Sequence, residues 1–453
     1  MRRHPRNAAL QQLITGAGVT YEALARDVNR VAAENGDRYL RTNRSAVAQW
    51  VAGVQPKPAT ARYLVEALTR RLGRPISVAD LGLASDQTGL PEPAAADPVT
   101  AITVLGRADV DRRTLINNMV YSISALLVPL TGPGPAARAA AVRSRPTLTA
   151  GEADVEAVRG VLAAFNSADE RLGGGHGRSA VVEYLTTDVA GYLRGRFATG
   201  TIRGSMFGLA AQLAYLAGWK AHDLGRTGLA QRYYLHAADL ARESSPAQVA
   251  YCMRILAHQA MDLDHSQHCV ELADAALLLT KDRVDADTES LFWLTAARAH
   301  AASGSPRQAR AMLTRAERVL NRSRGDASPP WVSLGGSAQA RLANHTGKTL
   351  RALGDLAAAE KQFAQAARCW NRTTHPRIHA LTLTELADAQ CARGAVEKAC
   401  QTWNQAMEEM AGIRSARTRE AVKAMRKHLA SYRRRGLAVV SQLDARASAF
   451  LQT

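Results

Sequence analysis

Apolar residues recur at helical spacing along most of this chain, and from about residue 206 to the end no convincing strand interrupts them. Residues 1–84 carry ALQQLITGAG, TYEALARDVNRVA, NRSAVAQWVAG, PATARYLVEALTRRLG and SVADLGL in that order. Thr20 is placed to cap the second helix, whose Leu24 and Val28 share an inner face. Asn43 caps a third helix that turns Val47 and Trp50 inward. Gly53 ends it, and Pro56 and Pro58 forbid its continuation. Pro91, Pro93 and Pro98 among Ala and Asp mark residues 85–98 as an extended linker. Residues 99–205 are helical, with breaks at TGPGP (131–135) and LGGGHG (172–177).

The second half repeats. Gly225, Asp264, Gly304, Gly354 and Gly394 mark successive turns at spacings of 39, 40, 50 and 40 residues. Five residues after them stand Ala230, Cys269, Ala309, Ala359 and Ala399, and twelve after them Ala237, Ala276, Ala316, Ala366 and Ala406. Seven before them stand Gly218, Ala257, Ala297, Gly347 and Ala387. Antiparallel helices joined by a tight turn approach closely only where side chains are small, and glycine supplies the left-handed cap at the turn. Tyr234, Phe363 and Trp403, nine residues past their markers, are expected to fill the space between hairpins. This pattern resembles tetratricopeptide (TPR) repeats over roughly residues 206–411, with helices longer than that family's usual period and Asp264 in place of one turn glycine. Residues 414–451 read as a closing helical pair over the terminal repeat's apolar face.

The fold class is therefore all-α. An N-terminal helix-turn-helix domain (1–84) and linker (85–98) precede a helical connecting region (99–205), a C-terminal TPR-like α-solenoid (206–413) and capping helices (414–453).

Charge changes the functional picture. A formal net charge of +18 suits a polyanionic partner, although an Arg-rich composition can have other origins. Residues 1–80 alone hold 13 Lys/Arg against 6 Asp/Glu. The five cysteines form no CxxC pair and read as reduced, mostly buried thiols. No apolar signal core follows MRRHPRN and no apolar run is long enough to span a bilayer, so a cytoplasmic, nucleoid-associated protein without a membrane partner is expected.

The N-terminal blocks resemble the lambda-repressor/Cro type of helix-turn-helix through Thr20, Leu24, Ala25, Asn43, Arg44, Ser45, Val47, Trp50 and Gly53. VNRVAAENGDRYLRT lengthens the connection between helices two and three by about a dozen residues. The resemblance implies that Asn43–Gly53 is a recognition helix on double-stranded DNA, with Arg44, Ser45, Ala46 and Gln49 at base edges. It places Thr20, Tyr21, Arg41, Asn43, Lys57 and Arg62 at phosphates. A helical bundle without DNA contacts is the alternative. DVDRR (109–113), FNSADERLGGGHGRSAVVEYL (165–185) and GWKAHDLGRTGLAQRYY (218–234) are similar to actinomycete transcriptional regulators that join such a domain to a TPR-like region. That resemblance implies a regulator of development or specialised metabolism. A homodimer is expected because pairing two heads matches operator symmetry. The array is expected to answer a small acidic ligand or peptide, with a TPR scaffold or anti-regulator acting mainly through protein partners as the alternative.

Transferring groove positions by the repeat register assigns Tyr215, Trp219, His222 and Asp223 to the first repeat. Tyr251, Arg254, His258 and Asp262 belong to the second, and Arg298 to the third. Arg341, Asn344, Lys348 and Arg351 line one face of the fourth, and Asp388 belongs to the fifth. The fourth face is similar to the clamps with which some TPR proteins hold a peptide's terminal carboxylate, though a polar stripe is equally the solvated side of an amphipathic helix. His265 and His268 near Asp262 and Asp264 lack CxxC or HExxH company, and Gly173–Gly175 lack the flanks of a phosphate loop. No nucleophile–base set, metal site or cofactor is expected. The basic run 414–435, nine Lys/Arg against one Glu, suits either DNA or solvent.

Overall fold

A computed structural model describes residues 5–37, 39–74, 76–83, 97–110, 120–127, 149–323, 328–333, 336–432 and 437–452. Within them the protein is helical apart from a two-residue parallel pair, β1 (Thr149–Ala150) with β2 (Arg196–Phe197). The linker expected at 85–98 lies mostly outside the described residues. By contacts the chain forms two compact units, Met1–Ala150 with Ser179–Glu243 and Gly151–Arg178 with Ser244–Thr453. The division falls inside the 99–205 stretch and again after the first repeat, because the first hairpin packs with the N-terminal bundle.

In the first unit, α1 (Ala8–Gly16), α2 (Tyr21–Glu34), α3 (Arg44–Val51) and α4 (Pro58–Leu72) close around Leu10, Leu24, Val28, Val47, Leu64 and Leu68. Asn7, Thr20 and Asn43 each accept a backbone N–H two positions inside the helix they start, which satisfies donors a helix leaves orphaned. The lengthened connection is absorbed by α2, which runs to Glu34, and by a loop pinned at Asn29. That side chain donates to the Thr42 carbonyl at 2.8 Å and accepts from the Thr42 N–H at 2.7 Å. The bundle is tied to α5 (Pro98–Val110), α9 (Gly200–Asp223) and α10 (Thr227–Ala241) as one body. Thr227 donates to the Glu34 carbonyl at 2.7 Å, and the Asn35 side chain accepts from the Tyr121 N–H at 2.7 Å. α7 (Arg178–Tyr184), a π-turn at Leu185–Val189 and α8 (Ala190–Arg194) complete this unit.

The second unit stacks the hairpins α11 (Pro246–Asp262)/α12 (Ser266–Thr280), α13 (Ala286–Ala302)/α14 (Pro306–Asn321), α16 (Ala338–Ala352)/α17 (Leu356–Cys369) and α18 (Pro376–Ala392)/α19 (Val396–Met410). The pair α20 (Ala416–Leu429) and α21 (Ala438–Gln452) closes the stack over Trp403, Met407 and Met410. All five turn markers are left-handed, with φ between 60° at Asp264 and 86° at Gly394. The small residues five and twelve positions later are buried to 1% exposure or less, which fits two backbones in close approach. The aromatics pack inside their hairpins as well as between them, Phe363 meeting Leu386 and Ala389 of the next hairpin and Trp403 stacking on His428 of the closing pair. Tyr234 lies on Gly218 and Phe363 on Gly347, inside their own hairpins, where an added Cβ would stand 2.7 and 2.8 Å from ring carbon.

The 50-residue spacing has a structural cause. Its extra residues lead into the short α15 (Pro330–Ser333), which seats Trp331 against Tyr251 and Leu291 on the first helices of earlier hairpins. The glycine run after α6 (Glu152–Leu172) is a backbone clasp. The Arg414 N–H donates to the Leu172 carbonyl at 2.9 Å, and the Gly175 N–H to the Arg414 carbonyl at 3.2 Å. A Cβ at Gly173 would lie 2.5 Å from that carbonyl oxygen, so only glycine fits. α6 is locked to α18 by Arg377, itself 1% exposed, which reaches Asp169 at 2.6 Å and Glu170 at 3.1 Å.

Candidate ligand face

The side of α3 opposite its buried Val47, Trp50 and Val51 presents Arg44, Ser45 and Gln49 to solvent. Ala46 does not join them fully, because it packs partly against the bundle core. Arg41 and Lys57 are exposed, with Arg41 donating to the Leu40 carbonyl. The Thr20 and Asn43 oxygens are engaged as helix caps, and the Tyr21 hydroxyl donates to Gln11 at 2.6 Å. Arg62 is half-buried. The base-edge set is thus a short exposed strip, and several of the expected phosphate contacts already have intramolecular work.

The residues expected to line a groove divide three ways. Tyr215, Trp219, His222 and Asp223 belong to the first unit. There Asp223 is wholly buried, Tyr215 packs on Tyr234, and Trp219 lies beside His222, which makes them parts of a hairpin core and its margin. In the second unit, three expected groove residues are structural. Arg341 is 5% exposed and binds the Asp287 carboxylate and the carbonyls of Gly336 and, at 3.1 Å, Val332, holding the α15 segment down. The Tyr251 ring is covered by Trp331 at a centroid distance of 4.9 Å. Asp388 accepts from the Trp403 indole at 3.2 Å. Arg341 with Asp287 and Tyr251 with Trp331 join residues far apart along the chain, which leaves no local spacing signal, whereas Asp388 meets Trp403 across its own hairpin.

What remains forms a cluster on the common face of α11, α13, α16 and α18. Arg298 reaches His258 Nδ1 at 2.6 Å, which places the His258 proton on Nε2. The His258 and His345 rings stand 5.4 Å apart. Arg254 lies with its guanidinium 5.2 Å from the Tyr251 ring. Lys348 Nζ is 3.6 Å from Glu385, which also pairs with Arg351. Asn344 donates weakly to Thr382 at 3.5 Å. Three polar atoms, Arg254 Nε, His345 Nδ1 and Asn344 Oδ1, are buried with no hydrogen-bond partner among the described residues. Lys348 and Glu385 keep 20% of their side chains exposed, so the cluster is deep yet reachable. Sequence reasoning missed His345 and Glu385. The register that selected Asn344 and Lys348 on α16 passes over its neighbour His345, and Glu385 announces itself only through the cations it meets.

The electrostatics of this face are one-sided. Burial, then the charges of Arg298 and Arg254, pushes both His258 and His345 well below the ordinary histidine range, and both stay neutral. Burial brings Lys348 down to about 8, and the Arg298 guanidinium is also lowered, mainly by burial. Burial opposes the charge on Glu385, yet Lys348 and Arg351 outweigh it and hold that carboxyl below its usual value. Buried Asp388, beside Glu385, rises to about 7. Cations outnumber carboxylates on this face, so the site carries surplus positive charge.

The remaining expected chemistry is mostly used internally. The His265/His268 stretch spans the Asp264 turn, and His268 lies 3.3 Å from Glu271. In the basic segment Arg426 pairs with Asp444 at 2.8 Å, Lys423 with Glu420 at 2.8 Å, and Arg419 donates to the Leu451 carbonyl at 2.6 Å. Residues 433–436 lie outside the described residues. Among the described residues no helix is long and apolar enough to cross a membrane.

Residues 10–84 match the family described as the SP15 N-terminal domain. No match was found among curated proteins. Among solved structures, the chain is similar to BtubC (BKLC) from P. vanneervenii at 17% identity, over 46% of this chain and 82% of that one, with a TM-score of 0.33. It is also similar to a Rap protein complexed with Competence and Sporulation Factor at 12% identity, over 66% of this chain and 98% of that one, with a TM-score of 0.40. Both likenesses are too distant to carry an argument about function. The kinship to lambda-repressor/Cro domains and to actinomycete regulators therefore stays an expectation.

Proposed function

We propose that this chain is a helical-repeat binding protein, without catalysis of its own, whose second unit receives an acidic peptide segment on the common face of α11, α13, α16 and α18. The observation that carries the reading is the surplus of cations on that face. Replacing buried ionic groups by apolar residues of similar size is commonly neutral or stabilising, so Arg254, Arg298 and Lys348 are poor choices for folding alone. A ligand that brings negative charge repairs the imbalance and satisfies the orphaned atoms. The test is selection of displayed random peptides on the full chain. Enrichment of acidic sequences, weakened about tenfold by Arg254→Ala, supports the reading; no enrichment overturns it.

A second reading, operator binding by a homodimer, has one observation in its favour: α3 holds Arg44, Ser45 and Gln49 outward on a rigidly capped helix. Under it, Arg44→Ala relaxes one base position by about 1–3 kcal/mol, whereas Lys57→Ala weakens all sequences alike. Selection from randomised duplexes decides the matter, since a protein scaffold shows only non-specific, salt-sensitive retention.

A further inference from the structure

We infer that the face between α11, α13 and α16 holds a doubly charged tetrahedral oxyanion, a phosphoryl group in chemical class, bound by Arg254, Arg298 and Lys348 with His258 and His345 beside them. The inference deepens the reading of this face as a ligand site and rests on it.

The charge count sets the valence. Among the described residues that bear on the cluster, Arg254, Arg298, Lys348, Arg351 and Arg417 face the carboxylates of Glu385, Asp262 and Asp388. With Asp388 ionised the excess is two positive charges, and one dianion cancels it. The geometry sets the shape. The donors project from three separate helices, which suits an anion with oxygens in several directions better than a planar carboxylate gripped from one side. Arg298 spends one donor on neutral His258 at 2.6 Å, a partner that returns no charge. Arg254 Nε has no partner. In a shielded site, guanidinium groups that outnumber their carboxylates attract an anion far more strongly than they would in water.

The histidines add a proton to the reaction. On His258 bear Arg254 from its own helix, Arg298 from α13, and His345 and Lys348 from α16. On His345 bear Arg254, Arg298, Lys348 and Arg341. Each of these cations repels an added proton and burial does the same, while the carboxylates of Glu385 on α18 and of Asp262 offset only part of that. A dianion reverses the sign of that environment, so binding raises the imidazole pKa values and draws in protons as pH falls toward 6.5. Ligand and proton are then linked, each favouring the other.

Calorimetric titration of the full chain with sulfate tests this, because sulfate stays dianionic across the range while phosphate itself titrates. At constant ionic strength the expected result is one saturable site, tighter at pH 6 than at pH 8, with proton uptake revealed by buffers of different ionisation enthalpy. Phosphate competes for it and acetate does not. Lys348→Met weakens binding by about tenfold, and its partly exposed position leaves an intact variant should Arg298→Met not fold. Absence of saturable sulfate binding, equal binding of acetate, or unchanged affinity in Lys348→Met overturns the inference. Capture of acidic peptides without sulfate binding overturns the dianion site alone and leaves the peptide reading standing. Sulfate binding without peptide capture does the reverse.

Discussion

Helix α16 has two sides that follow opposite rules. On one, Gly347 lets the Phe363 ring lie directly on the backbone, and the surroundings are apolar. On the other, His345 and Lys348 sit beside the cations Arg254 and Arg298, with Glu385 as the counter-charge of Lys348 and the His345 Nδ1 atom unpaired among the described residues. The first side is specified by size and stabilises the fold through close packing. The second stores an unfavourable balance that packing does not relieve. A face that costs stability while its reverse optimises it marks where binding, rather than folding, explains the residues.

The sharpest way to break this contrast uses two cations on that same helix. Arg341→Ala removes the donor for Asp287 and two carbonyls, all drawn into the interior, and we expect a loss of about 3–5 kcal/mol. Lys348→Met removes a charge from a face that already has too many, and we expect a neutral or stabilising effect. Urea unfolding of both variants checks the pair. Equal losses would mean that the two residues are alike and that the cationic face is structural.

The seam is probed by Gly347→Ala. In a helix interior that change ordinarily gains about 0.5–1 kcal/mol. Here the new methyl meets buried ring carbons, so the sign reverses to a loss of about 1–3 kcal/mol from overpacking. Shrinking the ring with Phe363→Leu in the same chain recovers part of it. A stabilised Gly347→Ala, read by the unfolding midpoint, would remove size as the rule of the seam.

These two sides also differ in how far they could be read from sequence. Small residues at fixed offsets from a turn are a local, repeated signal, and Ala230, Cys269, Ala309, Ala359 and Ala399 are all buried where the register put them. The helix caps at Thr20 and Asn43 were legible for the same reason. Polar residues carry no such label. Arg254, Arg298 and Lys348 shared a register with Arg341 and Asp388, yet Arg341 is consumed by a residue 54 positions away and Asp388 by the Trp403 indole. Whether a side chain is spent or spare depends on partners that only the folded chain supplies.

Asp388 gives a pH signature of that spending. Its carboxyl rises from 3.8 to about 7 in the folded protein. Between those values the unfolded chain releases its proton first, so this group lowers stability as pH rises through the window. Asp388→Asn removes the effect. The variant should gain on the parent between pH 4 and 7 and hold that gain above 7, on the order of 1 kcal/mol after discounting for partial exposure. Melting curves at pH 4, 6 and 8 measure it, and a difference independent of pH would mean the carboxyl titrates normally.

The smallest effect concerns the one marker that is not glycine. Asp264 sits at φ 60°, the conformation that Gly225, Gly304, Gly354 and Gly394 adopt at the equivalent turns. An L residue with a Cβ is strained there by roughly 1–2 kcal/mol, although aspartate tolerates the region better than most. Glycine relieves the strain but gives the unfolded chain more freedom to lose. The first term is the larger, so Asp264→Gly is expected to stabilise by about 0.5–1 kcal/mol. Because the side chain lies at a turn and outside the seam, no packing is lost with it. A destabilised variant would show that the Asp264 carboxylate, and not its backbone, is what this turn requires, and the rule that joins the five hairpins would then fail at its second member.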